Sequence, residues 1–320
     1  MNPACPLCGD VTRPWLTVPS DFLRPSEPKA FSLYWCAPCA YGLVWPRPAA
    51  AEVARFYELD GYYTHDAGDK ARQPTARPDL LDRLRLHLAW RVDRGLPMPD
   101  SVNQALPRSP LSVCDIGCGN GWLLEELRKS GHDAVGVEID PLAREAAVRR
   151  GLRVVEGTAE SLPALPAAAF DVVVMSHVLE HTIDPLRAIA NAARLLKAEG
   201  RLIIEVPNNA CASLSDRGVA WPWLDVPRHL NFFTGRSLRA IARSANLELV
   251  RFEWTGYCRM FAQEWIGEER ARWDHFAPSL NGSMPPRASK ARAWSLLART
   301  AFSPPGRKYD SVRMVARSNR

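Results

Sequence analysis

Residues 113–127, VCDIGCGNGWLLEEL, decide the fold of this chain. An apolar run ends at Asp115, glycines follow at positions 117, 119 and 121, and an amphipathic helical pattern then begins. A glycine-rich turn from a strand into a helix brings backbone N–H groups and the positive end of the helix dipole to one edge of a sheet. The stretch therefore predicts a binding site for a ligand with an anionic end.

Strand-like and helical patterns alternate on both sides of this stretch, from residue 111 to residue 207. Two further strand-like segments follow, LELVRFEW at 247–254 and DSVRMVARS at 310–318. Strands that alternate with amphipathic helices form a parallel sheet with helices on both faces. The chain is therefore predicted to hold a doubly wound α/β domain.

The spacing of the glycines separates the known kinds of nucleotide-binding turn. A dinucleotide fingerprint GxGxxG starting at Gly117 would need a glycine where Trp122 stands, and the phosphate loop GxxxxGK[ST] is absent. Instead, Asp115 precedes three glycines at alternate positions. A second carboxylate, Glu138, ends the next predicted strand, where it can accept hydrogen bonds from both hydroxyls of a ribose.

These residues resemble the class I S-adenosylmethionine-dependent methyltransferases, over residues 111–207. The resemblance implies a Rossmann-like sheet of seven strands and S-adenosylmethionine as methyl donor. In that family the glycine loop accommodates the methionine part, the carboxylate after the second strand binds the ribose, and a segment after the third strand contacts adenine. The implied cofactor-binding residues are Asp115, Gly117, Gly119, Gly121, Glu138, Ile139, Thr158, Ala159, Glu160 and Ser176.

Two CxxC pairs lie near the N-terminus, Cys5 with Cys8 and Cys36 with Cys39. Four thiolates at this spacing can close a tetrahedral Zn²⁺ site, which leaves no open position for catalysis. A structural zinc would stabilise a segment too short for a core of its own. We therefore predict a zinc ribbon, with a redox-active CxxC as the alternative. The segment resembles the zinc-binding part ahead of many bacterial small-molecule methyltransferases, including the deoxysugar C-methyltransferases.

Methyl transfer is an in-line displacement, so the protein must align the acceptor and, where needed, remove its proton. Residues 223–238, WLDVPRHLNFFTGRSL, resemble the stretch after the fifth strand of this branch. In deoxysugar C-methyltransferases the matching histidine follows a glutamate and acts as the base, whereas Arg228 precedes His229 here. His229 is the predicted base and His181 a second catalytic candidate; a structural role for either histidine is the alternative.

The patterns divide the chain into three parts: a zinc ribbon at 1–48, a helical segment and linker at 49–110, and the methyltransferase domain at 111–320. A cap insertion is expected at about 255–310, between the last two strands. The chain shows no export signal, and no apolar run approaches the roughly 20 residues of a membrane helix. It is therefore expected in the cytoplasm, with no membrane partner.

The net charge of +6 is concentrated at one end of the chain, since residues 287–320 hold nine Lys and Arg against Asp310 alone. We predict methyl transfer to a small metabolite, sugar or carrier-linked intermediate. An RNA or DNA methyltransferase that uses the basic tail is one alternative. A non-catalytic interaction module that keeps the fold is another. The sequence leaves open whether O, N or C is methylated, and the oligomeric state.

Overall fold

A computed structural model of the chain describes residues 2–27, 29–57, 78–107, 109–162, 165–280, 282 and 284–319. The strands are β1 (Arg13–Val18), β2 (Phe31–Cys36), β3 (Tyr41–Trp45), β4 (Ser112–Ile116), β5 (Asp133–Glu138), β6 (Val154–Glu156), β7 (Phe170–Ser176), β8 (Leu196–Pro207), β9 (Asn231–Phe232), β10 (Leu247–Thr255) and β11 (Ser311–Ser318). The helices are α1 (Ala50–Arg55), α2 (Leu80–Val92), α3 (Met98–Asn103), α4 (Trp122–Lys129), α5 (Pro141–Arg149), α6 (Pro185–Leu195), α7 (Ala212–Arg217), α8 (Gly235–Ser244), α9 (Gln263–Phe276), α10 (Lys290–Thr300) and α11 (Pro305–Lys308).

Seven strands form one sheet in the order β10-β11-β8-β7-β4-β5-β6. The strands from β6 to β8 pair in parallel, and β11 joins β8 and β10 antiparallel. β4 is apolar and almost entirely buried because helices cover both faces of the sheet. The predicted doubly wound, Rossmann-like sheet of seven strands is confirmed. Strand order reverses between β4 and β7, the place where open α/β sheets bind ligands.

Side-chain caps fix where the helices begin after the parallel strands. Asp140 accepts from the N–H of Leu142 at 2.9 Å at the start of α5. Asp184 accepts from the N–H of Arg187 at 3.0 Å at the start of α6. Each cap satisfies a donor that the first helical turn would leave unpaired. The loops at the carboxyl edge of the sheet are thereby held in place.

The N-terminal strands form a second sheet in the order β1-β2-β3-β9. Its last strand comes from a distant part of the chain that follows the central parallel strands, because Phe232 pairs with Gly42 and Asn231 pairs with Leu43. Tyr41 and Leu43 are buried in the same core cluster as the central sheet. The cysteine-bearing segment is therefore built into the larger domain.

The predicted helical segment and linker at 49–110 contains the short helix α3. Met98 and Val102 of α3 share an apolar cluster with Leu123 and Leu127. Pro97 precedes this helix and Pro99 lies in its first turn, where a proline costs little. The part of the predicted helical segment at 58–77 lies outside the described residues.

The region between β10 and β11 contains α9, α10 and α11, which occupy the place expected for a cap. Among the residues that the structure describes, we find no helix that is long and apolar enough to cross a bilayer.

Candidate functional site

The glycine loop joins β4 to α4 at the carboxyl edge of the central sheet. Gly117, Gly119 and Gly121 have φ angles of +73°, +54° and +81°, a region that L side chains disfavour. The N–H of Gly117 donates to the carbonyl of Val137 at 2.7 Å, which ties the turn to β5. The loop therefore lies over the point where the strand order reverses.

The three glycines have different surroundings. A Cβ on Gly117 would overlap Cγ2 of Val178, and a Cβ on Gly121 would overlap Cδ1 of Leu152. Within the described chain, no atom other than its immediate neighbours lies within 4 Å of a Cβ built on Gly119. Internal packing thus accounts for two of the glycines, while the third leaves space for a ligand to approach the backbone.

Two carboxylates lie beside this loop. Glu138 is 8 % exposed; its Oε2 accepts from the N–H of Gly119 at 2.8 Å, and its Oε1 accepts from the N–H of Asp140 at 2.8 Å. Each oxygen keeps a second lone pair for a hydroxyl donor. Burial and, second, the charge of Glu138 raise the pKa of Asp115 to about 8. The pair favours a ligand that carries positive charge.

Apolar side chains remain exposed next to the carboxylates. Ile139 follows β5 and Trp122 begins α4, and each is 55 % exposed. Ser176 ends the parallel strand β7 and therefore lies at the same edge. An exposed apolar surface beside hydroxyl acceptors suits a ligand with an aromatic base and a sugar.

The predicted adenine segment forms a tight turn after β6. The Oγ1 of Thr158 accepts from the N–H of Ser161 at 2.9 Å, and Ala159 is buried. The Oε1 of Glu160 accepts from the N–H of Asp184 at 2.6 Å, at the start of α6. Glu160 therefore binds the backbone at the N-terminus of α6.

Two histidines from separate segments meet after β7. His181 lies in the short helical turn Leu179–His181, and its ring centroid is 4.7 Å from that of His229. One nitrogen from each ring and a carboxylate oxygen of Glu180 lie within 4.8 Å of one another. The Nδ1 of His229 is 2.8 Å from the carbonyl oxygen of Trp223. Because a carbonyl only accepts, this nitrogen carries the proton and Nε2 keeps its lone pair.

The charges around the pair suit proton transfer. Burial and, second, the nearby His181 lower the pKa of His229 to about 4, so this ring is neutral at physiological pH. Glu180 is 1 % exposed, and its Oε2 has no hydrogen-bond partner among the described residues. Burial opposes its charge, but the hydrogen bond to His177 and the interactions with the three nearby histidine rings together lower the pKa of Glu180. A neutral imidazole beside a buried carboxylate can accept a proton, since the carboxylate stabilises the imidazolium.

His177 holds one wall of this cluster. Its φ of +54° is unusual for a side chain of this size. Its Nδ1 is 3.1 Å from Glu180 and its Nε2 is 3.6 Å from Glu205. Burial opposes the charge, yet both carboxylates together raise the pKa of His177 to about 9. The ring stacks on Trp223 with centroids 4.8 Å apart, and the Arg259 guanidinium lies 4.8 Å from the same indole.

Arg228 is fully buried and fully engaged. Its Nη1 and Nη2 donate to Asp21 at 2.9 and 2.7 Å. Its Nε and Nη2 donate to Asp225, each at 3.0 Å. Arg228 therefore connects the N-terminal segment to the loop that holds His229. Its positive charge is neutralised by the two carboxylates.

The four paired cysteines converge. The Sγ atoms of Cys5, Cys8, Cys36 and Cys39 all lie within 4.8 Å of one another, and those of Cys8 and Cys36 are 3.6 Å apart. Sulfurs bound to one tetrahedral Zn²⁺ at about 2.3 Å are separated by about 3.8 Å. The donor set and its spacing fit a four-thiolate metal site.

The basic C-terminal region is largely paired within the chain. Five of its cations contact carboxylates, namely Arg287 with Asp274, Lys290 with Asp79 and Asp82, Arg299 with Asp216, Arg313 with Glu205 and Glu253, and Arg317 with Glu199 and Glu248. Lys308 is buried and donates to two carbonyls. These partners offset part of the region's positive charge within the chain.

Sequence reasoning missed several residues of the histidine cluster. Glu180 had a signal, because it lies three residues after His177 on a turn and adjoins His181. No sequence signal indicated Arg259, since its partner Trp223 is distant in the chain. The hydroxyl of Tyr57, 2.7 Å from Nδ1 of His181, comes from the N-terminal part and was also missed.

Comparison with known proteins agrees with this geometry. Residues 90–251 match the family described as "Methyltransferase domain". The chain is 32 % identical over 212 residues to the ubiquinone biosynthesis O-methyltransferase of Cereibacter sphaeroides. The matched region covers 62 % of this chain and 83 % of that protein. It is 30 % identical over 212 residues to the protein of the same name from Ruegeria pomeroyi, with the same coverage. The chain is 20 % identical to a solved structure from Thermotoga maritima, which is described as a "SAM-dependent methyltransferase, possible histamine N-methyltransferase". The match covers 75 % of this chain and 92 % of that chain, with a TM-score of 0.45. The chain belongs to the class I S-adenosylmethionine-dependent methyltransferases.

Proposed function

We propose that this enzyme methylates an oxygen atom of a small-molecule acceptor, with His229 as the general base. The observation that carries the proposal is the neutral, buried His229, anchored through Nδ1 on the carbonyl of Trp223 at 2.8 Å. Its other nitrogen is left to accept a proton. The relatives named as ubiquinone biosynthesis O-methyltransferases support an oxygen acceptor.

S-adenosylmethionine supplies an electrophilic methyl group when it is bound. We place its amino-acid end at the glycine loop, its ribose at Glu138, and its base beside Ile139 and residues 158–160. The open space at Gly119 and the lone pairs of Glu138 support this arrangement. So does the proximity of Asp115, whose negative charge a cationic ligand would stabilise.

On the acceptor side, the proposal gives each residue a separate task. His229 takes the hydroxyl proton, and Glu180 stabilises the imidazolium that forms. His181 keeps the base in place through its edge-on contact. Trp223, held between His177 and Arg259, forms a wall that keeps water from the reacting atoms.

Arg228 argues against the C-methylation seen in deoxysugar methyltransferases. Those enzymes have a glutamate before the histidine, whereas here Arg228 is bound on both sides by Asp21 and Asp225. A hydroxyl needs one base, and His229 alone provides it. A sugar, metabolite or carrier-linked intermediate with a free hydroxyl is therefore the proposed acceptor.

We also propose a structural Zn²⁺ on the four cysteines. The spacing of their sulfurs supports it, and the metal would offset the cost of burying thiolates. Elemental analysis should find one zinc per chain, and Cys36→Ser should lose the metal together with stability. A Cys36→Ser protein that folds and keeps its zinc contradicts the four-thiolate site.

The proposal is tested by incubating the protein with labelled S-adenosylmethionine, fractionated metabolites and, in parallel, total RNA. Label transfer to a hydroxyl-bearing small molecule supports the proposal. Transfer to RNA, with steep salt dependence, supports the nucleic acid alternative instead. Cofactor binding without transfer to any fraction favours the interaction module. The paired charges of residues 287–320 support the first outcome.

A further inference from the structure

Helix α2 carries apolar side chains on its outer surface. Leu80 is 80 % exposed and Trp90 is 69 % exposed, although both are large and apolar. Six of the exposed large apolar residues of the described chain belong to this one helix: Leu80, Leu81, Leu84, Leu86, Leu88 and Trp90. Such a concentration on a single helix marks an interaction surface.

The inner side of α2 is polar and firmly held. Asp82, Arg85 and Ala89 are its buried residues, at the spacing of one helical stripe. Asp82 and Arg85 form a buried ion pair at 2.9 Å, and Arg85 donates to the carbonyl of Phe261 at 3.1 Å. The apolar side is therefore directed outwards by specific contacts on the opposite side.

The exposed side chains of α2 form three stripes at four-residue spacing, one of which holds Leu86 and Trp90. Leu80, Leu84 and Leu88 follow one another at four-residue spacing and form the apolar stripe. Arg83, His87 and Arg91 follow at the same spacing and form a basic stripe next to it. The one acidic residue inside α2, Asp82, is buried on the other side. An apolar stripe bordered by arginines is typical of helices that lie in the plane of a membrane surface.

A second element extends this surface at the C-terminal end of α2. Lys308 donates to the carbonyls of both Val92 and Ala301, which brings residue 302 beside the end of the helix. Phe302 is 93 % exposed. Trp90 and Phe302 are aromatic side chains of the kind that anchor proteins at the lipid interface.

In place of the sequence-based expectation of no membrane partner, we propose that the outer surface of α2, together with Phe302, docks on an anionic lipid bilayer. Leucines can enter the acyl boundary, aromatic rings suit the interface, and the arginines of the basic stripe complement anionic headgroups. This charge complementarity is what selects a lipid surface as the occupant. The proposal does not depend on the acceptor chemistry proposed above.

The surface is also connected to the acceptor side of the enzyme. Arg85 binds Phe261 in the short helical turn Cys258–Phe261, and Arg259 of that turn contacts Trp223. Docking through α2 would therefore bring the acceptor-side wall close to the bilayer. Hydroxyl-bearing acceptors that partition into lipid could then reach the site from the membrane surface.

The test is co-sedimentation with vesicles of phosphatidylcholine, with and without an equal part of phosphatidylglycerol. Wild-type protein should bind the anionic vesicles, and added salt should weaken the binding. The double variant Leu84→Glu, Leu88→Glu should bind at least about tenfold more weakly, because it places charges in the apolar stripe. Val148→Glu is the matched control, since Val148 is also 53 % exposed but lies on α5. It should bind like the wild type.

Three results would overturn the proposal. One is wild-type protein that stays in the supernatant with anionic vesicles. Another is an equal loss of binding in Val148→Glu. The third is a wild-type dimer, seen by light scattering, that the double variant converts to a monomer, because a second copy would then cover the surface. Thermal unfolding of each variant confirms that the protein remains folded.

Discussion

The glycine loop and the histidine cluster, which we propose as the cofactor half and the acceptor half of one site, are assembled in different ways. The cofactor half, Gly117–Gly121 with Glu138, comes from adjacent strands and the turns that follow them. The acceptor half joins His181 and His229 to Trp223, Arg259 and, through Arg228, to Asp21. Local backbone geometry defines the first, whereas long-range packing defines the second. Substitutions in the two halves should therefore change different properties of the enzyme, namely cofactor affinity in the first and turnover or stability in the second.

The largest effect should come from the proposed base. His229→Gln should lower kcat by about 10²–10⁴-fold, because the variant cannot accept the acceptor's proton. Affinity for S-adenosylmethionine should change by less than about twofold, since His229 lies in the other half. Steady-state assays measure kcat, and calorimetry measures the affinity for S-adenosylmethionine.

A buried histidine elsewhere serves as the control for this variant. His132 is 8 % exposed, 3.1 Å from the N–H of Leu111 and 2.8 Å from Asn103. His132→Gln should leave kcat close to the wild-type value. If His229→Gln lowers cofactor affinity as much as turnover, His229 is a structural residue.

The next effect tests the long-range contacts of the acceptor half. Arg228→Met leaves the buried Asp21 without its counter-charge and leaves Asp225 with Arg272 alone, so the free energy of unfolding should fall by about 3–5 kcal/mol. Arg287→Met is the matched control, because Arg287 pairs with Asp274 at the exposed surface, where solvent screens the pair and its loss should change stability little. Urea unfolding compares them. Similar losses of unfolding free energy in both variants would show that the buried ion pairs of Arg228 stabilise the protein no more than an exposed pair does.

The cofactor half is tested by Glu138→Ala. This change removes the proposed acceptor of the ribose hydroxyls and also frees the N–H groups of Gly119 and Asp140. Hydrogen bonds to a charged group contribute about 1.5–3 kcal/mol, so affinity for S-adenosylmethionine should fall at least about tenfold. Turnover at saturating cofactor should fall less. Unchanged affinity in calorimetry would remove Glu138 from the cofactor site.

The difference between the halves also explains what the sequence could predict. The glycine spacing, Asp115 and Glu138 are adjacent in the chain or in neighbouring strands, so their pattern predicted the α/β fold and the loop. Helix α3 was not predicted, because prolines such as Pro97 and Pro99 at its start occur both in linkers and in the first turn of a helix.

The acceptor half was only partly predictable. His181 and His229 could be named from their motifs, but not their contact, because it depends on how β9 and the turn after β7 pack. The partnership of Arg228 with Asp21 joins residues from opposite parts of the chain. No local periodicity encodes such a pair, since tertiary packing alone brings the two side chains together.

The smallest effect separates packing from ligand contact within the glycine loop. Gly119→Ala and Gly121→Ala both place a side chain at a positive φ, which costs roughly 1–2 kcal/mol. Only the second also forces a Cβ against Leu152 and Ala147. Urea unfolding should therefore show a larger loss of stability for Gly121→Ala. Gly119→Ala should instead show its further loss in affinity for S-adenosylmethionine, because its Cβ occupies the space proposed for the ligand. Equal losses of stability would contradict the packing role of Gly121, and wild-type affinity in Gly119→Ala would mean that this space does not receive the cofactor.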